Sequence, residues 1–274
     1  MTAIVGERVV MRSVGAWSRA LCGGVTALAI ASASGCQKAG ASATPSESGI
    51  VIRYEAPASP DRDNAAFLRK WKVAEEAAEA VDALVDVDRP VSLVLGSCGG
   101  EGSAYDPEAD RVEICYDEVS EARELFQRAE PRHADDDVAA VMLETLFHET
   151  AHALVDVLGL RTSGREEDFA DQFAALMLLR KGVSGERQLL AAAEAWRLSA
   201  VTNEDVDSGT DEHSSDSQRA VNHLCYVYGS ASGRHQNLVG ADDLPADRAK
   251  GCAREWSTVR ASWMTALGPH LREE

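Results

Sequence analysis

Residues 137–158 (DVAAVMLETLFHETAHALVDVL) are rich in Ala, Leu and Val and contain no Gly or Pro. The pattern predicts a helix of about six turns. Asp135, Asp136 and Asp137 offer an N-cap and negative charge at its start, and Gly159 is placed to stop it. Residues 165–181 (REEDFADQFAALMLLRK) predict a second, amphipathic helix, with Ser163 as N-cap candidate and Gly182 after its end. The loop between them, 159–164, is short, and helices so joined are usually antiparallel. Further helices are expected over 63–86, 184–200 and 253–268, and in a run from Glu212 to Tyr228 behind an acidic Ser/Gly loop, 203–211. VSLVL (91–95) and RVEICY (111–116) read as strands joined by a Gly-containing loop. Neither an internal repeat nor a second-domain boundary interrupts this order. The fold class expected is α+β, mostly helical: one domain over 51–274 with a small β-sheet.

The first helix carries His148-Glu149-Thr150-Ala151-His152. His148 and His152 stand at i and i+4, so both rings leave one face a turn apart and can share one metal ion. Glu149 lies about 100° around the axis. That places it poorly as a ligand and well as a general base toward water at the metal. On the second helix Glu167 and Asp171 are again i and i+4. In an antiparallel pair the start of the second helix sits beside the end of the first. Glu167 can then complete a His₂Glu set that leaves a fourth position open, the catalytic arrangement for zinc. Asp171 can accept the free ring N–H of a ligating histidine. Glu166 competes as third ligand, but only Glu167 has an Asp four residues on. The longer motif HExxHxxGxxH fails, because Val155 and Leu158 stand where its Gly and third His would be.

HExxH followed by ExxAD resembles the gluzincin group of zinc metallopeptidases. The stretches FHETAHALVDVLGL, GREEDFADQFAALMLL, DEHSSDSQR and LCYVYG resemble, more closely, a family of secreted bacterial metallopeptidases without an assigned substrate (domain of unknown function 4344). The resemblance spans about 60–270. It implies a zincin-like domain with an active-site helix, a second ligand-bearing helix, ligands His148, His152 and Glu167, and base Glu149. Gluzincins often hold the oxyanion with a His or Tyr. His213 is the candidate here, with a helix-capping role as its alternative, and Tyr226 and Tyr228 stand behind it. His133, His223, His235 and His270 show no ligand spacing and are expected to be structural or exposed. Zincins often seat an extended peptide along a strand beside the active-site helix, and 111–116 is the candidate strand.

The N-terminus reads as a targeting segment. Arg8, Arg12 and Arg19 precede an apolar stretch, Leu21 to about Ala33, too short to span a bilayer; Met11 is an alternative start. Ala33-Ser34-Gly35-Cys36 resembles a lipobox, departing from it at Ala33, where Leu is usual. The division expected is a lipoprotein signal over 1–35, then lipidated Cys36 and a Ser-rich tether over 36–50. Ordinary cleavage after Ala33 is the alternative. Six cysteines are present, and Cys22 leaves with the signal. Acylation of Cys36 leaves an even four for an oxidising compartment, Cys98, Cys115, Cys225 and Cys252, with three pairings open. Cys98–Cys115 with Cys225–Cys252 joins nearest neighbours, and the resembling family has cysteines in both places. The formal charge of −18 excludes binding to nucleic acid or anionic lipid by general electrostatics.

The function expected is a zinc-dependent peptidase of the bacterial cell envelope. It would carry one Zn²⁺ per chain, act on peptide or protein, and touch the membrane only through its N-terminal lipid. The alternative is a metal-stabilised, catalytically inactive lipoprotein that binds a partner.

Overall fold

The computed structural model describes residues 49–129, 135–162, 164–202, 214–240 and 243–272. The expected signal, Cys22, Cys36, the tether up to 48, Ser163, the 203–211 loop, Glu212, His213 and His133 lie outside these residues.

β1 (Ile50–Tyr54) leads through α1 (Arg62–Trp71) and α2 (Val73–Leu84) to β2 (Val91–Gly96). The single helix expected over 63–86 is in fact two. Lys72 adopts a left-handed conformation (φ 53°) and its N–H caps Leu68 O, ending α1, while its own carbonyl accepts from Glu76 N. The break lets Phe67 and Leu68 face the core together with Val73, Ala74, Ala77 and Val81. β3 (Ala104–Asp106) and β4 (Arg111–Cys115) follow. The sheet order is β1-β2-β4-β3; β1, β2 and β4 run parallel and β3 runs antiparallel to β4. Parallel neighbours need a crossover, and between β2 and β4 the crossing segment is itself used as strand β3. This overturns the expected role of 111–116. Its outer side is taken by the pairs Ala104↔Glu113, Tyr105↔Val112 and Asp106↔Arg111, and β3 forms the edge.

The remaining elements are helical: α3 (Glu118–Ala129), α4 (Asp135–Val157), α5 (Glu166–Leu179), α6 (Val183–Thr202), α7 (Asp216–Ser230) and α8 (Ala246–Leu267). The whole is a mostly helical α+β domain with a four-stranded mixed sheet. α4 is buried on nearly all sides, from Val138 to Leu154. This is why it is apolar all round and not amphipathic. It ends at Gly159 (φ 60°), whose left-handed turn lets Leu160 N reach Val155 O. Behind it, α8 locks onto α5: the Trp263 indole stacks on Phe169 at 3.9 Å and donates to Phe169 O at 3.0 Å. α7 and α8 are joined by the Cys225–Cys252 disulfide, and their backbones meet where Gly229 leaves no room for a Cβ against Cys252 O. The second disulfide, Cys98–Cys115, ties the end of β2 to the end of β4. No described helix is long and apolar enough to cross a membrane.

Candidate metal centre

α4 and α5 lie side by side, joined by a short loop, and their facing sides bring three donor atoms together. His148 Nε2 is 3.3 Å from His152 Nε2. Glu167 Oε2 is 3.1 Å from the first and 3.4 Å from the second. Ligand atoms bound at 2.0–2.1 Å around a tetrahedral centre stand about 3.3–3.4 Å apart. The three separations therefore match one face of a zinc tetrahedron, and the donor set (two imidazoles and one carboxylate) suits zinc chemistry.

Both histidines present Nε2 because Nδ1 is engaged elsewhere. Asp171 Oδ1 is 2.8 Å from His148 Nδ1, and Glu166 Oε1 is 2.9 Å from His152 Nδ1. Glu166, the rival ligand, thus orients His152 and leaves Glu167 at the convergence point. A carboxylate behind a ligating imidazole fixes its tautomer and ring orientation. Burial opposes an imidazolium at His148. The hydrogen bonds that the ring donates to Asp171 and Glu167 outweigh it, so its pKa is pushed up to about 10. His152 is raised in the same way, burial again opposing and the Glu167 hydrogen bond prevailing. Without an ion, protons hold this acidic cluster together; an ion would take their place. Glu149, half-buried, lies close enough to raise both histidines electrostatically.

Several contributors were not visible in the residue spacing. Arg219 of α7 is buried with its guanidinium bidentate on Asp171, Nε reaching Oδ2 at 2.9 Å and Nη2 reaching Oδ1. It also stacks 3.6 Å over the Trp196 ring of α6. Burial would raise the Asp171 pKa, but Arg219 and then His148 hold it well below the usual carboxylate range. Four residues on, His223 is fully buried (0% exposed) with Nε2 2.9 Å from Glu144 Oε1 (2% exposed). Glu144 stands one turn before His148 on α4. α7 thus reaches the back of the candidate metal cluster through two buried contacts, Arg219 on Asp171 and His223 on Glu144.

On the opposite side, Glu118 at the start of α3 accepts from Ser103 N (2.7 Å) and Ser103 Oγ (2.6 Å). Burial pushes its pKa up to about 7, against the Ser103 hydrogen bonds and with help from Glu149 and Glu121. Tyr226 packs in the core against Trp256 and feels the charge of Asp171, and Tyr228 accepts from Gln236. His235 pairs with Glu186, and His270 lies in the C-terminal turn, partly exposed.

A family model described as "Putative metallopeptidase" (domain of unknown function 4344) matches residues 33–267. No curated protein and no solved structure matches the chain.

Proposed function

We propose a function for a chain that belongs to this family of metallopeptidases: hydrolysis of peptide bonds by water, with His148, His152 and Glu167 holding one zinc ion and Glu149 as general base. The observation that carries the reading is the convergence of two Nε2 atoms and one carboxylate oxygen at tetrahedral spacing. The zinc would supply Lewis acidity and a water of pKa about 7.

Glu149 leaves α4 beside the pair of ligands and takes the proton of the attacking water, then returns it to the departing amine. Asp171, braced by Arg219, holds the His148 ring with Nε2 forward. Glu166 does the same for His152. His213 is the proposed donor to the oxyanion of the attacked carbonyl. Its neighbour Ser214 supports this: Ser214 Oγ donates to Asp168, next to Glu167, at 2.7 Å and accepts from Arg165 at 2.8 Å. An extended substrate would lie along β3, the sheet edge packed against α4. The two disulfides fit an oxidising compartment. Export to the bacterial envelope, with lipid on Cys36, belongs to the same proposal and draws its support from the Ala33-Ser34-Gly35-Cys36 pattern of the sequence.

The test is zinc content and peptide-library cleavage on the chain from Gln37 onward, with two variants. About one zinc per chain is expected for the wild type, lost or much weakened in Glu167→Ala. Glu149→Gln should keep the zinc and lose cleavage by about 10²–10⁴-fold. Zinc bound without any cleavage would favour a metal-stabilised binding protein instead, and no zinc after reconstitution would remove the peptidase reading.

A further inference from the structure

The segment between β2 and β3, Ser97–Ser103, is Gly-rich and takes left-handed turns at Gly99, Gly100 and Gly102. Such a segment has much conformational freedom to lose, yet it is fastened at three successive points. Cys98 is bridged to Cys115. Gly100 N donates to Asp117 Oδ2 at 2.7 Å. Ser103 gives both its N–H and its hydroxyl to the two oxygens of Glu118, while its Oγ accepts Cys115 N at 3.0 Å. Ser103 is the last residue before β3.

β3 is fastened at its middle residue too. Tyr105 donates its hydroxyl to Asp156 Oδ2 of α4 at 2.8 Å. Glu149 and Asp156 lie seven residues apart, hence on one side of α4 with a rise of about 10 Å between them. The two anchored residues, Ser103 and Tyr105, are about 7 Å apart. β3 packs against α4, and Tyr105 meets it on the side that also carries Glu149. Tyr105 holds the strand to Asp156. Glu118, which feels the charge of Glu149, holds its start through Ser103.

We propose that Glu118 is a positioning residue for substrate: by gripping Ser103 it fixes the start of edge strand β3 in the register that an extended peptide needs to present its carbonyl to Glu149. The proposal rests on the peptidase reading and adds to it a group that touches neither metal nor scissile bond. It assigns the first helical residue of α3 to peptide binding.

The experiment uses the zinc-loaded chain from Gln37 onward and three variants, Glu118→Ala, Glu118→Gln and Ser103→Ala. Zinc per chain, KM and kcat on a cleaved library peptide, and amide hydrogen exchange over 103–106 are measured together. Glu118→Ala should keep its zinc, raise KM about tenfold with kcat within about threefold, and speed exchange over 103–106 about tenfold or more. Glu118→Gln, whose amide oxygen still accepts from Ser103 N, should recover most of both effects. Ser103→Ala should fall between. An unchanged KM, an equal loss in kcat, or unchanged exchange in Glu118→Ala overturns the proposal. A wild type that binds zinc but cuts nothing fails the peptidase reading and the substrate role of Glu118 with it, whereas a wild type that cuts, with KM unchanged in Glu118→Ala, fails this proposal alone.

Discussion

Arg219 has its charge enclosed between the Asp171 carboxylate and the face of Trp196. Replacing it by Met keeps much of the volume but leaves Asp171 buried without its strongest partner. Removing one member of a buried pair costs about 3–5 kcal/mol. Loss of a group behind a metal ligand weakens metal binding about 10–100-fold. Arg219→Met should show both, in urea unfolding and in zinc titration; an unchanged zinc affinity would mean that Asp171 orients His148 unaided. A second residue-scale expectation concerns protons. His148 is raised from 6.5 to about 10 in the metal-free protein, so the ion must displace a proton from it near neutrality. Zinc affinity should then rise about tenfold per pH unit between about pH 6 and 9. A flat profile would show that the imidazole is already neutral. The three converging residues and Asp171 could be paired from sequence because His148 and His152, like Glu167 and Asp171, stand one turn apart on one helix, and a short loop joins the two helices. Arg219 and His223 could not. Their partners, Asp171 and Glu144, lie 48 and 79 residues away, and nothing in the spacing distinguishes a buried arginine from a solvated one.

Among elements, the helices with strong apolar patterns were legible, and so was the antiparallel pairing of α4 with α5, which the short loop imposes. What stayed hidden was small or locally irregular. β1 is five residues and mostly half-buried, and β3 is three. α3 lies in a strongly charged stretch. The break at Lys72 has neither Gly nor Pro to announce it, since the packing of α1 and α2 on one core forces the left-handed turn. Assigning the edge to β4 failed for the same reason: a three-residue strand supplies too little period to read. The element that frames the metal cluster from behind is α7, and the Cys225–Cys252 bridge anchors it to α8. Closing a loop of 27 residues removes unfolded-state entropy of about 3–4 kcal/mol. The Cys225→Ser, Cys252→Ser double variant should lose about that much in urea unfolding. Because α7 carries Arg219, its zinc affinity should fall as well. A stability loss with full zinc affinity would show that α7 holds its place by packing alone.

For the molecule as a whole, the metal-free and zinc-bound forms should respond to pH in opposite directions. Burial raises Glu118 and Glu121 from 4.5 to about 7. The folded chain holds those two protons more tightly than the unfolded chain does. Their contribution is present in full below 4.5 and disappears as pH rises through about 7. His148 adds a contribution of the same sign, complete below 6.5 and lost as pH rises through about 10. Asp171, held down by Arg219 and His148 against its burial, and Glu186, held down by Arg234, act oppositely. Their contribution is present above the ordinary carboxylate range and fails only in stronger acid. The excess of acidic over basic side chains, net −18, adds self-repulsion that also eases as pH falls. The metal-free protein should therefore melt highest near pH 5 and lower at each step to pH 9. Zinc stabilises by an amount set by the ratio of free ion to Kd, about 2.7 kcal/mol at a hundredfold excess, and proton competition makes that ratio grow with pH. Melting curves in chelator and in zinc should nearly coincide at pH 5 and separate widely by pH 8. Curves that rise together from pH 5 to 8 would contradict both the raised carboxyls of α3 and the protonated His148 in the metal-free site. Curves that separate as expected in the wild type but coincide at every pH in Glu167→Ala would place the effect at the three converging donor atoms.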